Sequence, residues 1–471
     1  MSMNRLCSLG ATQLASLIRE RQVSAGEVLE AHLARIAAVN PAVNAVTVTL
    51  ADSARAAAAA VDQALAAGQP LGPLAGVPFT VKENVDVQGS ATTWGVKALA
   101  GQVAAADAPI VARLREAGAI PLARTNLPDF AFRWDTVSDR AGRTLNPWDA
   151  TRACGGSSGG EAVALATGMT PLGIGNDLGG SLRVPAQLCG VAALKPSRGR
   201  IAHGAVTQPW PEPLAVQMTN CQGPMARRVA DLRLALALAC VPDSRDPRWV
   251  PAPLEGPRAE GRVRVALVRD PAGLGIAPPV RRGLDRATDW LANAGYEVVE
   301  AEPPNIAAVA GAWVDAIWAD FAPLLPALQP MAGAEAMALI HRAMEEGVFK
   351  PVNQAAQQAA WMAIHQHAAD WDAFLQQHPV VLAPVCCEQG WVSGEDLAQP
   401  ARIAQAMRMV VPVNILGLPA CALPVGRDGG LPQGVQLIGR RFREDQLLDA
   451  AQAIEGAAPA IAPIDPAQSG H

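Results

Sequence analysis

The sequence predicts an α/β protein, a single large domain in which a mixed, mainly buried central β-sheet is flanked by helices. Two observations support this prediction. Between residues 74 and 240, short apolar runs alternate with glycine-rich loops and helical segments, as expected for strands covered by helices. The 471 residues are 50 % hydrophobic and only 17 % charged, a composition that can bury a large core and does not indicate disorder.

Residues 1–72 are predicted to form an N-terminal helical region packed on this core. Ser24 and Glu27 have the spacing of a capping box, in which each side chain accepts a hydrogen bond from the other residue's backbone N–H. Apolar periodicity then predicts a helix through Val28–Ile36. A second helical pattern spans Ala51–Ala67 and stops before a glycine and a proline.

Residues 73–240 are predicted to be the core segment that carries the chemistry. Apolar runs predict strands and longer periodic runs predict helices. The expected strands are Phe79–Val81, Ile120–Leu122, Pro171–Ile174 and Val191–Leu194, and the expected helices are Gly160–Thr167 and Arg227–Ala239.

Residues 241–375 are predicted to be a variable, largely helical elaboration of the core, and residues 376–471 to complete the same α/β domain. A stretch rich in Pro, Arg and Asp at 241–262 predicts a surface connection. We expect strands at Val263–Val268, Glu297–Glu300, Val380–Pro384, Ala420–Val425 and Gly434–Ile438, and helices at Val280–Ala294 and Asp445–Glu455.

Composition excludes several classes of function. A net charge of −5 argues against a nucleic-acid partner. The eight cysteines form no C-x-x-C pair and have no zinc spacing, which predicts a reduced, cytoplasmic protein without a metal. Neither a signal-peptide core nor about 18 uninterrupted apolar residues occur, so we expect no membrane span. Cys154 is a candidate nucleophile, although a packing role is favoured because no histidine lies near it in sequence.

Two serines in glycine-rich loops are the most informative local feature. Ser157 lies in Gly155–Gly160, and Ser181 follows two glycines 24 residues later. The first loop fits the G-x-S-x-G elbow, but a loop rather than a strand precedes it, and nothing marks the downstream His203 as a base. A G-x-G-x-x-x-G pattern at Gly173–Gly179, next to the second loop, is the second candidate motif. It lacks an evident acidic ribose-binding residue, and Pro185 argues against the helix that a dinucleotide site needs.

Ser–Ser–Lys catalysis is the third chemistry that fits these loops. A serine hydroxyl is a poor nucleophile until a base takes its proton, and lysine becomes such a base when burial lowers its pKa. Lys82 follows an apolar run and is predicted to end a buried strand. Considered one at a time, each residue has a simpler structural explanation: Lys82 could form an ion pair with Glu83, and each serine could be a turn residue. Considered together, Lys82, Ser157 and Ser181 favour catalysis.

Longer motifs follow one another along nearly the whole chain. They are Gly76–Asn84, Thr125–Phe130, Asn146–Asp149, Gly155–Glu161, Gly175–Ala186, Leu194–Ser197, Gly223–Arg227, Gly417–Ala420 and Gly434–Gly439. In these segments the chain resembles the amidase signature family, and the resemblance is weakest over 241–375.

The resemblance implies the amidase signature fold and amide hydrolysis without a cofactor. It assigns Ser181 as the nucleophile that forms an acyl-enzyme, Ser157 as the proton relay and neutral Lys82 as the base. It also implies a cis peptide bond between Gly156 and Ser157. The family's oxyanion hole maps onto the backbone N–H groups of four consecutive residues, and its loop-bracing positions map onto two charged residues. The four are Leu178, Gly179, Gly180 and Ser181, and the two are Asp177 and Arg183.

Two departures from the family pattern narrow the expected function. Asn176 stands where many members have threonine, next to the oxyanion loop. The segment 205–220 lacks the Ser-Ser-Leu-Asp text of amidotransferase A-type subunits, which favours a stand-alone hydrolase over a transamidation partner. The expected substrate is a small amide; a carbamate or ester hydrolase and a non-catalytic subunit on the same scaffold are the alternatives. A homodimer is compatible with the sequence.

Four tryptophans in the divergent regions are predicted to line an apolar substrate pocket, with ordinary core packing as the alternative. They are Trp134, Trp210, Trp313 and Trp318.

Overall fold

The computed structural model describes residues 2–204, 207, 212–258 and 260–467. An eleven-stranded sheet forms the centre of the domain, and a two-stranded hairpin of β4 and β5 lies apart from it. The strands are β1 Val46–Thr49, β2 Pro78–Lys82, β3 Ile120–Thr125, β4 Val137–Ser138, β5 Gly142–Arg143, β6 Leu172–Asp177, β7 Ala192–Lys195, β8 Cys221–Ala226, β9 Arg264–Leu267, β10 Glu297–Glu300, β11 Val380–Ala383, β12 Ala420–Asp428 and β13 Leu431–Gly439.

Helices surround the sheet and supply most of the remaining structure. They are α1 Met3–Ser8, α2 Ala11–Arg19, α3 Ala25–Val43, α4 Ala51–Ala66, α5 Pro109–Glu116, α6 Gly159–Ala166, α7 Arg183–Cys189, α8 Leu214–Thr219, α9 Val229–Ala239, α10 Pro278–Asn293, α11 Ile306–Phe321, α12 Leu325–Leu328, α13 Ala334–Glu345, α14 Gln354–Gln377, α15 Glu395–Ala398, α16 Pro400–Ala406, α17 Val411–Ile415 and α18 Glu444–Ala457.

The sheet is mixed, as predicted. Its strand order is β1-β3-β2-β6-β8-β7-β12-β13-β11-β9-β10. β2 lies between β3 and β6 and is parallel to both, whereas β8 runs antiparallel to β6. The carboxyl ends of β2 and β6 therefore meet at one edge of the sheet, which is where α/β proteins place their ligands.

The helix and strand predictions are confirmed wherever the sequence pattern is long or strongly apolar. All five residues of β2 are buried, the polar Thr80 and Lys82 as well as the apolar ones. At the start of α3, the Ser24 side chain accepts from the Glu27 N–H at 3.0 Å, and the Glu27 carboxylate accepts from the Ser24 N–H at 2.8 Å. The predicted capping box is thus present, and the single α/β domain is confirmed.

Three elements form against the local sequence signals. β8 contains Gly223 and Pro224, which disfavour a strand, but it pairs with β6 along its whole length. β1, which the sequence pattern does not indicate, is only four residues long. The expectation that Pro185 would prevent a helix after the glycines is wrong: α7 begins at Arg183 and holds Pro185 in its first turn, where a backbone N–H has no intrahelical partner to lose.

Among the residues that the structure describes, one stretch, Ile306–Leu328, is long and apolar enough to cross a membrane by length and composition, with a mean hydropathy of 1.3. In this fold it consists of α11, α12 and the turn between them. α11 packs against α14 and α17, and its buried face includes Trp313 and Trp318.

Candidate active site

Lys82 lies at the carboxyl end of β2 and is completely buried. Its Nζ is 2.7 Å from Ser157 Oγ and donates a second hydrogen bond to Asn176 Oδ1 at 2.8 Å. Parallel pairing of β2 with β6 places Val81 opposite Ile174, so Lys82 and Asn176 come to the same edge of the sheet. The contact between Lys82 and Ser157 joins residues that are 75 positions apart in sequence.

Burial lowers the pKa of Lys82 to about 7, against the opposing influence of the nearby Asp177 and Glu161 carboxylates. Burial also raises the pKa of Glu161 to about 7. The Glu161 carboxylate accepts hydrogen bonds from Thr80 at 2.5 Å and from Thr125 at 2.7 Å. A large fraction of Lys82 is therefore neutral near physiological pH and able to accept a proton.

The loop that carries Ser157 is joined to the loop that carries Ser181. The Gly156–Ser157 peptide bond is cis, as the family resemblance implies. Ser157 is buried, and the next residue, Ser158, donates its N–H to the Ser181 carbonyl at 3.1 Å. α6 begins directly afterwards at Gly159, so the positive end of its dipole lies beside this pair of loops.

A buried ion pair between Asp177 and Arg183 holds the Ser181 loop in place. Two nitrogens of Arg183 contact the two Asp177 carboxylate oxygens at 3.0 and 3.1 Å, and both side chains are fully buried. Arg183 also bonds Gln436 at 2.9 Å and Asn414 at 2.6 Å, which ties the loop to β13 and α17. Burial alone would raise the pKa of Asp177, but the charge and hydrogen bonds of Arg183, together with Lys195 and Asn414, outweigh it and hold that pKa well below its usual range.

The Asp177 carboxylate also accepts a hydrogen bond from one of the four N–H groups predicted to form the oxyanion hole. Gly180 donates its N–H to Asp177 Oδ1 at 2.7 Å, and Leu182 donates to Oδ2 at 3.1 Å. The N–H groups of Leu178, Gly179 and Ser181 remain as candidate donors to an oxyanion. Gly180 contributes by fixing the shape of the loop.

A tight turn after Lys82 directs Asn84 toward the same cavity. The Val85 N–H bonds the Lys82 carbonyl at 2.9 Å, and Arg124 donates to the carbonyls of Lys82 and Val85 at 3.2 and 2.6 Å. The Asn84 side chain is 7 % exposed and lines the cavity. Within the described ranges, neither its amide oxygen nor its amide nitrogen has a hydrogen-bond partner. A polar atom of a bound ligand could form the hydrogen bonds that the Asn84 amide lacks.

Ser157, Asn176 and Ser181 open onto a cavity of about 170 Å³ with a mainly apolar wall. The chain has 11 Trp, 7 Phe and 1 Tyr, and eight of these aromatic residues line this one cavity. They are Trp94, Phe130, Phe132, Trp134, Trp313, Trp318, Phe321 and Phe349. An aromatic wall of this kind favours an aromatic ligand.

The predicted pocket tryptophans occupy this wall, with one exception. Trp134 and Trp313 stack with ring centroids 6.4 Å apart, and Trp318 stacks on Phe349 at 4.5 Å. Trp210 lies outside the described residues. The alternative nucleophile Cys154 is buried, and burial raises the pKa of its thiol. His203 pairs with Glu212 at 2.8 Å, and none of its described contacts is with either loop serine.

Several wall residues are not predicted from the sequence. Phe130, Phe132 and Trp134 stand close together in a chain that is only 4 % aromatic, a local enrichment that could have indicated a pocket. Arg133 forms a bidentate pair with Asp396 at 2.9 Å for both contacts, across 263 positions. No local pattern predicts a pair so far apart in sequence.

Comparisons with known proteins find relatives along nearly the whole chain. A family model described as Amidase matches residues 27–448. The indoleacetamide hydrolase of Bradyrhizobium diazoefficiens is 42 % identical over 96 % of this chain and 87 % of that protein. The A-type subunit of the glutamyl-tRNA(Gln) amidotransferase from Acidothermus cellulolyticus is 33 % identical, with 97 % and 95 % covered. The solved structure of 6-aminohexanoate cyclic dimer hydrolase complexed with substrate matches with a TM-score of 0.83 and 29 % identity, covering 97 % of this chain and 99 % of that chain.

Proposed function

Because the chain belongs to the amidase signature family of amide C–N hydrolases, we propose that it hydrolyses small amides with an aromatic acyl group through Ser181, Ser157 and Lys82. One observation carries the proposal. Ser157 Oγ lies 2.7 Å from Lys82 Nζ, and Ser157 lines the same aromatic-walled cavity as Ser181.

In this mechanism Ser181 Oγ attacks the substrate carbonyl carbon. Its proton passes to Ser157 Oγ while the Ser157 proton passes to neutral Lys82, so one C–O bond forms and the carbonyl oxygen becomes an oxyanion. The intermediate collapses, the C–N bond breaks, and Ser157 returns a proton to the leaving nitrogen as Lys82 loses its extra proton. Water then attacks the acyl-enzyme with the same proton path, which releases the acid and restores Ser181.

The N–H groups of Leu178, Gly179 and Ser181 would hold the oxyanion. Donors fixed in advance stabilise charge that develops only in the transition state, and losing one such donor typically costs about 100- to 1000-fold in rate. The bonds from Asp177 to Gly180 and Leu182 support this role, because they fix the loop before substrate binds.

The aromatic wall and the relatives support an aromatic acyl group. Eight aromatic side chains around one cavity offer ring-stacking surfaces, and two relatives at 42 and 41 % identity are named indoleacetamide hydrolase. In this mainly apolar wall, the Asn84 amide offers two N–H donors and an oxygen acceptor to polar atoms of the substrate. Carbamates and esters undergo the same acyl transfer and remain the alternative substrates.

A substrate panel tests this assignment. We expect kcat/KM for indole-3-acetamide and phenylacetamide to exceed that for hexanamide by about tenfold or more, since ring contacts add roughly 0.5–1.5 kcal/mol each beyond burial. The measurement is ammonia release at a series of concentrations, with the matched ethyl esters and carbamates assayed in parallel. A preference for the aliphatic amide would contradict the aromatic assignment, and a preference for the carbamates would favour the alternative reaction.

Asn176 provides a direct test of the lysine. In Asn176→Asp a carboxylate would replace an amide oxygen 2.8 Å from Nζ, and an adjacent negative charge favours the ammonium form. We expect the pKa of Lys82 to rise and activity at pH 7 to fall, by about fivefold for the first unit of that rise and about tenfold for each further unit, with recovery at higher pH. The neutral variant Asn176→Thr should keep the wild-type profile. An unshifted profile in the aspartate variant would show that Lys82 does not control the rate.

We further propose that the enzyme acts in the cytoplasm. All eight cysteines are unpaired, which suits a reducing compartment. The proposed partners are small-molecule substrates, with no nucleic acid and no membrane, and a homodimer remains the candidate assembly. Because the amidotransferase relatives match nearly full length, the stand-alone activity rests on the divergent 205–220 segment.

A further inference from the structure

Two indole N–H groups hold the backbone carbonyls of the candidate oxyanion loop. Trp134 Nε1 donates to the Gly179 carbonyl at 2.9 Å, and Trp313 Nε1 donates to the Leu178 carbonyl at 3.0 Å. We infer that Trp134 and Trp313 are positioning residues: Trp313 sets the direction of the Gly179 N–H, Trp134 holds the next peptide plane of the loop, and the two indoles link binding of the substrate ring to catalysis. The inference rests on the proposed function.

Peptide geometry explains how an indole can set an N–H group that it does not touch. The C=O and N–H of one trans peptide unit share a plane and point in opposite directions. Fixing the Leu178 carbonyl with Trp313 therefore fixes the direction of the Gly179 N–H. The next plane is held at both ends, by Trp134 on the Gly179 carbonyl and by Asp177 on the Gly180 N–H.

The approach of Trp313 depends on the absence of a side chain at residue 179. A Cβ atom added to Gly179 would lie 2.5 Å from Trp313 Cζ2, closer than such atoms approach in proteins, and 3.0 Å from Cη2. Glycine at this position thus lets the indole lie directly over the loop and reach the Leu178 carbonyl.

Trp134 belongs to a segment that also contacts the Ser157 loop. A Cβ on Gly156 would lie 2.4 Å from the Arg133 carbonyl, and Thr136 Oγ1 donates to the Gly155 carbonyl at 2.8 Å. The bidentate pair of Arg133 with Asp396 anchors the segment. Residues 133–136 therefore fix the position of the Ser157 loop relative to the loop before Ser181.

The same two indoles form part of the cavity wall and stack on each other. An aromatic acyl group bound there would pack on rings whose N–H groups hold the loop. Ring contacts made by the substrate would then tighten the loop geometry, so part of the binding energy would appear in kcat rather than in KM.

The test replaces each indole with a phenyl ring. In Trp134→Phe and Trp313→Phe an aromatic surface remains but the N–H is lost, and we expect kcat for phenylacetamide to fall about three- to tenfold, as for one net hydrogen bond. Affinity for benzyl trifluoromethyl ketone, whose adduct with serine carries an oxyanion, should fall by the same factor. Affinity for the product phenylacetate should stay within about twofold, because only the oxyanion requires the oriented N–H groups.

A matched control comes from a tryptophan outside the cavity. Trp371 Nε1 also donates to a backbone carbonyl, that of Pro304 at 2.8 Å, and its side chain is fully buried. Trp371→Phe should lower the melting temperature and leave kcat and ketone affinity unchanged. Replacing Trp134 or Trp313 with 3-benzothienylalanine, which puts sulfur in place of the N–H in a ring of nearly equal size, separates loss of the bond from loss of packing.

The outcomes are distinguishable. A fall in kcat and in ketone affinity for both the phenyl and the benzothienyl variants would support the inference. If the variants keep wild-type kcat and ketone affinity while the wild type hydrolyses phenylacetamide, the inference is wrong and the proposed function stands. A wild type that hydrolyses no amide of the panel would overturn both.

Discussion

Replacing Ser181 with alanine is expected to eliminate amide hydrolysis, with kcat reduced by about 10⁴-fold or more, the range seen when a catalytic nucleophile is removed. Alanine has no oxygen to form the acyl-enzyme. The residual rate would come from the oxyanion donors and from binding alone. The measurement is single-turnover product release from phenylacetamide, combined with labelling by a fluorophosphonate and mass spectrometry of the labelled peptide.

Ser197→Ala provides the matched control. Ser197 is also a buried serine, but it bonds the Phe442 N–H at 2.8 Å and is not part of the cavity wall. This variant should keep full labelling and activity, and the melting temperatures of both variants show whether each is folded. A label on Ser157 rather than Ser181 would reverse the assigned roles and restore the elbow interpretation of the first glycine-rich loop.

The sheet and most helices could be predicted because their signals are local. β2 is a short continuous apolar run, α3 carries its own capping box, and β10 matches the predicted bounds Glu297–Glu300. The unpredicted strand β8 is stabilised by pairing with β6 over six residues. Tertiary pairing of that kind overrides the unfavourable propensity of its glycine and proline.

The candidate site could be predicted only in part. Taken alone, Lys82 and the two loop serines are each better explained as structural residues, and the ordered family motifs are needed to join them. The departure at Asn176 is visible in sequence, but its bond to Lys82 Nζ depends on the register of β2 with β6. The indole bonds to the loop carbonyls cross 45 and 135 positions, beyond the reach of any sequence pattern.

The pH profile follows from the burial of Lys82. The base must be neutral to accept a proton, and burial lowers its pKa to about 7. kcat/KM should therefore rise with pH, reach half of its plateau near pH 7 and stay high above it. The charged groups that act on Nζ are Asp177 on β6 and Glu161 on α6, and both raise the pKa. Glu161→Gln removes one of them and should shift the rising limb to lower pH.

Lys82→Met should lower kcat at pH 8 by about 10³-fold or more, within the range that removal of a triad member costs in serine hydrolases, and should also remove the rising limb. Methionine retains an apolar side chain for the buried strand but has no basic nitrogen. Lys195→Met is the matched control, because Lys195 is a second fully buried lysine, bonded to the carbonyls of Pro196 and Leu418 at 2.9 and 2.8 Å. The folded fraction of Lys195→Met should keep the rise in activity near pH 7. If Lys82→Met retained both the rate and the limb, the proton would have to leave Ser157 by another route, and the contact of 2.7 Å would be structural.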